Sequence, residues 1–329
     1  MSEAISYKDV KKAAERLRGK TYPTPLMRCD AIDQMTGLNV WFKPECTQKV
    51  GAFKYRGAYN RLSAMSDDER ARGVVAFSSG NHAQGVARAA KELGMSAIIV
   101  MPEDAPKIKI DGVLRDGAEI VFYDRHSQNR EKISDEIASR DNRIVVPSFD
   151  DPYIIAGQGT TGLEIGFEAK ELGIQLDAVI TPMGGGGLCA GTGIAIEALC
   201  PDTQMYGAEP AGYNDHQLSI RAGRRIAYEN PPLTLCDAIM TPIPGELTFP
   251  INNRLVDDVF TVTDQECLHA MAVIKTELGI PVEPGGVVGF AAVLNEAFRD
   301  TSHRIICVVL SGGNVDPDIM ARAEAIGRF

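Results

Sequence analysis

One lysine has neighbours that suit covalent chemistry. Lys54 lies in the run Gly51-Ala-Phe-Lys-Tyr-Arg-Gly57, among aromatic residues, small residues and an arginine. A lysine that apolar and cationic neighbours remove from water has a lowered pKa, and its neutral amine forms an imine with a carbonyl compound. A single lysine is more often a solvated residue on a helix, so this run alone leaves both interpretations open.

Four consecutive glycines, Gly184 to Gly187, form a second candidate site. They follow a predicted strand at 178–183 and precede a predicted helix that begins near Leu188. Successive glycines leave the backbone N–H groups bare, so these groups can converge on an anion at a helix N-terminus. We therefore expect a phosphate group to bind here.

The same loop also matches a dinucleotide-binding pattern, as Gly185-x-Gly187-x-x-Ala190. Glu209 ends the next predicted strand, where an acidic residue would bind a ribose. From these residues alone, a nicotinamide-type dinucleotide is the alternative to another phosphate-bearing cofactor.

The elements around these loops alternate between short apolar runs and helical patterns. Predicted strands lie at 74–79, 97–102, 119–124, 143–149, 178–183, 205–210, 258–262 and 304–311, and predicted helices at 82–94, 128–140, 160–173, 266–279 and 287–298. This alternation predicts an α/β fold with two open parallel sheets covered by helices. Ligands of such sheets bind in the loops at the carboxyl ends of the strands, where the glycine loop lies.

The composition argues against some classes of binding partner. The net charge of -10 argues against nucleic acid and anionic membranes as partners. No apolar run approaches the roughly 18 residues that a membrane span needs, and the first residues lack the apolar core of a signal peptide. Seven scattered cysteines without a CxxC pair predict reduced thiols in a cytoplasmic protein.

The run around Lys54 resembles the lysine motif of fold type II, tryptophan-synthase-β-like pyridoxal-phosphate enzymes. Within that group it resembles serine/threonine dehydratases, in the branch of serine racemases and threo-3-hydroxyaspartate dehydratases. The other matching motifs, in chain order, are Thr24-Pro25-Leu26, Ser78-Ser79-Gly80-Asn81-His82, Gly157-Gln158-Gly159-Thr160, the glycine loop, Gly207-Ala208-Glu209-Pro210, Glu283-Pro284 and Ser311-Gly312-Gly313-Asn314. They cover nearly the whole chain, whereas the dinucleotide pattern explains only one of them.

The resemblance implies two open, twisted parallel-sheet domains with pyridoxal 5'-phosphate in the cleft between them. Residues 1–52 and 147–329 would form the large domain and residues 53–146 the small one. The implied reaction removes water from a small β-hydroxy amino acid, such as L-serine, L-threonine or threo-3-hydroxyaspartate, to give a 2-oxo acid and ammonia. Serine racemisation is the alternative activity, and a homodimer is the expected assembly.

The resemblance also assigns the cofactor contacts. Lys54 would hold the cofactor as a Schiff base and act as the base that takes the Cα proton. The cofactor-binding residues would be Phe53 on the pyridine ring, Asn81 on the ring hydroxyl, Gly184, Gly185, Gly186 and Gly187 on the phosphate, Glu283, and Ser311 facing the pyridine nitrogen. A neutral hydroxyl at that nitrogen favours prompt loss of a β-leaving group over transamination.

Substrate contacts are expected in the loop at 78–82. Ser78, Asn81 and His82 would bind the substrate carboxylate, and Ser79 would reprotonate Cα from the face opposite Lys54, which would permit racemisation. Simple capping of the helix at 82–94 is the alternative role of Ser78, Ser79 and Asn81.

Arg130 would contact the distal end of a dicarboxylate substrate, since a planar guanidinium binds a carboxylate through two hydrogen bonds. This contact makes threo-3-hydroxyaspartate a candidate substrate beside serine and threonine. A solvated position on a helix face is the alternative for Arg130.

Glu209 and Asp215 match the divalent-metal site of serine racemases. Two carboxylates and the Tyr213 carbonyl leave room for waters, which suits Mg²⁺, Ca²⁺ or Mn²⁺ in a structural role. Two solvated acids on a loop are the alternative.

Two positions depart from the family pattern. Ala52 stands where the lysine motif usually has serine, and Gly285-Gly286-Val287 follows Glu283-Pro284 in place of the more usual Ser-Gly-Ala or Thr-Ala-Gly. Both changes touch the expected pocket and leave the substrate open.

Overall fold

A computed structural model of the chain describes residues 5–125, 127–228 and 232–326. In chain order the strands are β1 (Met27–Arg28), β2 (Asn39–Lys43), β3 (Val74–Phe77), β4 (Ala97–Pro102), β5 (Glu119–Tyr123), β6 (Ile144–Val145), β7 (Ala178–Pro182), β8 (Gln204–Pro210), β9 (Val256–Val262) and β10 (Ile305–Val309). They form two sheets, in the orders β1-β2-β10-β7-β8-β9 and β5-β4-β3-β6. All neighbours are parallel except β1 and β2. The predicted α/β class with two open parallel sheets is confirmed.

Helices cover both sheets. They are α1 (Tyr7–Leu17), α2 (Asp30–Thr36), α3 (Lys54–Ser63), α4 (Asp67–Arg72), α5 (Asn81–Glu92), α6 (Lys107–Arg115), α7 (Arg130–Asp141), α8 (Pro152–Glu171), α9 (Gly187–Leu199), α10 (Asp215–Ala222), α11 (Thr248–Leu255), α12 (Asp264–Leu278), α13 (Pro284–Leu294) and α14 (Pro317–Ile326). Their cover explains why β4 is buried along its whole length. Within the described residues, no helix has the length and apolar character that a membrane crossing requires.

Strand β2 was not predicted from the sequence. This strand ends at Lys43, whose side chain is fully buried because Glu164 and Glu168 of α8 lie 2.8 and 2.6 Å from its ammonium nitrogen. A strand that ends in lysine lacks the uninterrupted apolar pattern of its neighbours, so only the tertiary partners explain its burial. The neighbouring edge strand β1 was not predicted either, because it is only two residues long.

Two predicted boundaries also change. The strand predicted at 143–149 contracts to β6, and the helix predicted at 160–173 begins earlier, at Pro152. Asp151 sets that start, since its carboxylate accepts the backbone N–H groups of Tyr153 and Ile154 at 2.8 and 3.0 Å.

A buried ionic cluster fixes the helix that begins at Lys54. The guanidinium of Arg56, on α3, donates two hydrogen bonds of 2.7 Å to Glu45 and others of 2.6 and 2.8 Å to Glu164 on α8. Burial raises the pKa of Glu164, but the charges of Arg56 and Lys43 and the hydrogen bonds that they donate together outweigh it and lower this pKa to about 2. Because a buried charge is tolerated only when it is paired, the cluster ties α3 to α8 in one position.

Candidate active site

A cavity of about 400 Å³ lies where the carboxyl ends of strands from both sheets meet. The loops after β3, β7 and β10 contribute to its wall, as parallel sheets predict. The predicted site residues on this wall are Phe53, Lys54, Ser78, Ser79, Asn81, His82, Arg130, Gly184, Gly185, Gly186, Gly187 and Ser311. Glu283, Glu209, Tyr213 and Asp215 are not among the residues that line it.

Lys54 is the first residue of α3, and its amine faces the cavity. The Nζ atom donates a 2.9 Å hydrogen bond to the carbonyl of Ser148 and lies 5.2 Å from the centre of the Phe53 ring. Burial lowers the pKa of Lys54 from 10.5 to about 8, against the opposing charge of Glu283. A substantial fraction of this amine is therefore neutral near pH 8, as imine formation requires.

The loop between β3 and α5 does not use its side chains as simple helix caps. Gly80 is the N-cap of α5, and no side chain accepts a capping hydrogen bond there. The Asn81 amide instead donates to Glu283 and accepts a 2.9 Å hydrogen bond from Asn314. The hydroxyl of Ser78 accepts the backbone N–H of Gly80 at 3.1 Å. The side chain of Asn81 is thus held for another purpose than capping.

His82 presents its backbone more favourably than its ring to an anion. Its Nε2 atom lies 3.0 Å from the carbonyl of Val146, which only accepts, so the ring donates there. Burial and the charge of Lys54 lower the pKa of His82 to about 3, which leaves the imidazole neutral. Its backbone N–H, in the first turn of α5, remains the suitable donor for a carboxylate.

The glycine loop joins β7 to α9, and Gly186 caps that helix with φ of +89°. Two of its carbonyls accept hydrogen bonds from residues that do not line the cavity: Thr248 donates to Gly185 at 2.6 Å and Asn252 donates to Gly186 at 3.1 Å. A Cβ atom on Gly185 would lie 2.2 Å from the Phe149 ring, so a larger residue does not fit. The loop offers backbone N–H groups at a helix N-terminus, which is an arrangement for an anion such as phosphate.

Glu209 does not serve the dinucleotide alternative. Its carboxylate is buried and accepts the backbone N–H groups of His216 and Gln217, each at 3.0 Å. It is not one of the residues that line the cavity. An acid that is occupied in this way cannot bind a ribose in the cleft.

Ser311 lies beside the lysine loop. Its carbonyl accepts the backbone N–H of Phe53 at 3.1 Å, and its own N–H donates to Gly286 at 3.2 Å. Ala52 pairs with Gly312 in an antiparallel bridge. The end of β10 therefore places the Ser311 hydroxyl on the same wall as Lys54.

Two arginines lie at the cavity wall formed by α7 and the segment before it. Arg130 begins α7, and its guanidinium lies 5.5 Å from the centre of the Phe77 ring. Arg125 also lines the cavity, but it forms an ion pair with Asp104 at 2.7 Å. Arg130 is the better placed of the two to contact an anionic ligand.

The residues of the expected metal site lie together outside the cavity wall. Asp215 is 1% exposed, and within the described parts of the chain both of its carboxylate oxygens lack a hydrogen-bond partner. Burial raises the pKa of Asp215 to about 8, and burial together with the charge of Asp215 raises that of Glu209. The described chain contains no group of three or more His, Cys, Asp or Glu side chains that could hold a metal. Carbonyl and water ligands would have to complete a site here.

Three polar residues at or next to this cavity were not predicted as site residues from the sequence. They are Lys109, Asp237 and Asn314. Lys109 lies 2.8 Å from Asp237 and 3.2 Å from Glu283, and Asn314 bonds Asn81. Lys109 is buried whereas Lys107, on the same helix, is exposed, and no sequence signal distinguishes the two.

The chain is similar to known proteins along most of its length. The family described as "Pyridoxal-phosphate dependent enzyme" matches residues 17–312. An L-threo-3-hydroxyaspartate ammonia-lyase from Pseudomonas sp. is 43% identical over 94% of this chain and 96% of that protein. A serine racemase from Schizosaccharomyces pombe is 40% identical over 94% of each chain. The crystal structure of a threonine deaminase from T.th. superposes with a TM-score of 0.89 at 40% identity, covering 94% of this chain and 99% of that one.

Substituting Gly186 with alanine tests the glycine loop. The new Cβ atom would lie 2.5 Å from Asn252 Nδ2 and 2.8 Å from His216 Nε2, at a φ that L-residues rarely adopt. Strain of this kind costs roughly 1–3 kcal/mol, and its relief must redirect the loop N–H groups. We expect the affinity of cofactor-free protein for pyridoxal phosphate, measured by absorbance titration, to fall at least about tenfold.

Gly173→Ala is the matched control. Gly173 also has a positive φ, of +66°, but no atom lies within 4 Å of a Cβ placed there. It should lose some stability, and its cofactor affinity should remain that of the wild type. Wild-type affinity in Gly186→Ala would contradict an anion-binding role of the loop.

Proposed function

This chain belongs to the family of pyridoxal-phosphate-dependent enzymes, and we propose on that basis that it is an ammonia-lyase acting on L-threo-3-hydroxyaspartate. The substrate would lose its Cα proton and β-hydroxyl as water. The resulting enamine would take up water and release ammonia, leaving a 2-oxo acid. The observation that carries the proposal is that Lys54, the glycine loop and Arg130 line one cavity.

The residues present fit the cofactor. Lys54 offers an amine with a lowered pKa, the glycine loop offers bare N–H groups at a helix N-terminus, and Ser311 offers a neutral hydroxyl on the same wall. When bound, the cofactor withdraws electron density from the substrate Cα and makes its proton easier to remove. Phe53 would pack against the cofactor ring, and Asn81 would donate to the ring hydroxyl.

The chain's own groups would then position the substrate and move its proton. The Nζ atom of Lys54 would take the proton from Cα. Ser78 and the backbone N–H groups at the start of α5, including those of Asn81 and His82, would bind the α-carboxylate. These donors lie between the end of β3 and the first turn of α5, so two regular elements would hold the substrate.

Arg130 distinguishes the proposed substrate from serine and threonine. A guanidinium beside the Phe77 ring is held by that ring and can donate two hydrogen bonds to a β-carboxylate. The 43% identical relative named for L-threo-3-hydroxyaspartate supports the same choice.

Serine racemisation is the second candidate. Ser79 lines the cavity in the loop after β3, where its hydroxyl would reprotonate Cα from the face opposite Lys54. The 40% identity to a serine racemase favours this role of Ser79.

A substrate panel tests the proposed function. Holoenzyme is incubated with L-serine, L-threonine and the four 3-hydroxyaspartate stereoisomers, and 2-oxo acid, ammonia and D-amino acid are measured. We expect the highest kcat/KM for the L-threo isomer with equal yields of 2-oxo acid and ammonia. Lys54→Ala should lose both turnover and the visible absorption of bound cofactor. If L-serine gave D-serine without release of ammonia, the protein would be assigned as a racemase and not as a lyase.

Arg130→Ala tests the distal contact. Loss of a charged pair of hydrogen bonds should lower kcat/KM for L-threo-3-hydroxyaspartate roughly 10- to 150-fold. Turnover of L-serine, which has no β-carboxylate, should change little. Arg140→Ala is the control, because Arg140 is an exposed arginine on the same helix. Equal losses with both substrates would show that Arg130 does not read the β-carboxylate.

We also propose a structural Mg²⁺, or Ca²⁺ or Mn²⁺ in its place, at Glu209, Asp215 and the Tyr213 carbonyl. Two buried carboxylates repel each other, and a divalent cation would use the unpartnered oxygens of Asp215. The site does not line the cavity, so the ion would stabilise the loop between β8 and α10 and take no part in the chemistry.

Removal of divalent ions should therefore lower the melting temperature. A ligand at 100 times its Kd stabilises a protein by about 2.7 kcal/mol, so re-addition of Mg²⁺ should restore several degrees. In Asp215→Asn the melting temperature should not respond to Mg²⁺. Identical melting curves of the wild type with and without chelator would exclude this ion site.

Three further features complete the proposal. The chain would act in the cytoplasm, which suits its seven unpaired cysteines, and without nucleic-acid or membrane partners. It would assemble as a homodimer. Its small domain would be residues 53–146, a range that contains the whole four-stranded sheet, and residues 1–52 and 147–329 would form the large domain.

A further inference from the structure

Lys109, Asp237 and Glu283 form an ionic cluster next to the cavity that connects segments packed on the two sheets. Lys109 lies on α6, beside the four-stranded sheet, whereas Asp237 and Glu283 belong to segments packed on the six-stranded sheet. The Lys109 ammonium lies 2.8 Å from Asp237 and 3.2 Å from Glu283. Lys109 and Glu283 are each 1% exposed, so this is a desolvated pair whose partners depend on each other.

The cluster continues to the residue expected on the cofactor hydroxyl. Glu283 accepts a hydrogen bond from the Asn81 side-chain N–H₂, and the Asn81 oxygen accepts one from Asn314 at 2.9 Å. Asn314 also donates to the carbonyl of Val50, a β-branched residue with φ of +59°. The amide of Asn81 is therefore fixed, and its second N–H remains for the cofactor.

An ionised Glu283 allows only this orientation of the Asn81 amide. A carboxylate only accepts hydrogen bonds, whereas a protonated carboxyl also donates and would tolerate the opposite orientation of the Asn81 amide. Burial raises the pKa of Glu283, the charge of Lys109 opposes that rise, and Asp237 adds to it. Lys54 and the Cys46 thiol are the other titratable groups that sense the charge of Glu283.

Lys109 packs closely against the loop at 78–82. A Cβ atom on Gly80 would lie 2.9 Å from the Lys109 Cδ, so the stem of this lysine runs directly against the loop at 78–82. Lys109 is not among the residues that line the cavity, and it therefore acts only through its partners.

We propose that Lys109 is a positioning residue that keeps Glu283 ionised and thereby fixes the Asn81 amide toward the cofactor, an inference that rests on the proposed cofactor contact of Asn81. Lys109 touches neither cofactor nor substrate. Its effect reaches the reaction through the orientation of Asn81 and through the charge that Glu283 presents to Lys54.

The sign of a spectroscopic shift tests this role. The pH midpoint of the visible band of holoenzyme reports the proton on the Lys54 nitrogen that holds the cofactor. The Glu283 charge raises the pKa of Lys54, so Glu283→Gln should lower the midpoint, by roughly one pH unit. If Lys109 keeps Glu283 ionised, Lys109→Met should lower it too, and Lys109→Met should cause no further lowering in the Glu283→Gln background.

A simple charge effect gives the opposite sign. If Glu283 stays ionised without Lys109, removal of a nearby cation raises the midpoint, and that result would overturn the inference, as would an unchanged midpoint. Lys109→Arg, which retains the charge, should have the wild-type midpoint. This variant tests the role of the charge even if Lys109→Met folds poorly. Lys107→Met, on the exposed face of the same helix, is the matched control.

Failure of the proposed function and failure of the Lys109 role give different results. Wild-type protein that forms no visible band with pyridoxal phosphate would contradict the proposed function. A normal wild-type band with a raised or unchanged midpoint in Lys109→Met would contradict only the role of Lys109.

Discussion

The guanidinium of Arg56 makes the contacts on which the position of Lys54 depends. Arg56 lies two residues after Lys54 on α3 and bonds Glu45 on one side and Glu164 on the other. Lys43 shares Glu164, so strand β2 enters the same network. Removing one partner of a buried pair leaves an uncompensated charge, which typically costs about 3–5 kcal/mol. Any other position of α3, and therefore of Lys54, would leave buried charges unpaired and would cost free energy of folding.

Charge is also buried at two other places in the protein, where it is balanced in different ways. Glu283 has Lys109 as a partner within the protein, and the pair joins elements of both sheets. Glu209 accepts backbone N–H groups, Asp215 has no hydrogen-bond partner among the described residues, and the charge of Asp215 raises the pKa of Glu209. The first arrangement suits a permanent contact, and the second suits an exchangeable cation.

Much of the fold could be predicted because parallel strands are apolar and bounded by turns. The glycine loop and Ser311 could be placed on one cavity because loops at the carboxyl ends of such strands converge. Lys54 follows no predicted strand, and only the family resemblance placed it there. The burial of Lys43 and Lys109 could not be predicted, since each depends on acids far along the chain. The side-chain directions of Asn81 and His82 were equally hidden, because local rules favour helix capping and say nothing of Glu283 or Val146.

If Arg130 binds the β-carboxylate as proposed, it contacts a group that the reaction does not alter. An interaction of this kind holds the starting compound, the transition state and the product with similar strength. It improves capture at low concentration but does not speed the bond-breaking step. A 2-oxo diacid would keep the carboxylate that Arg130 binds, so its departure from the cavity, and with it the inhibition of further turnover by accumulated product, would depend on this arginine.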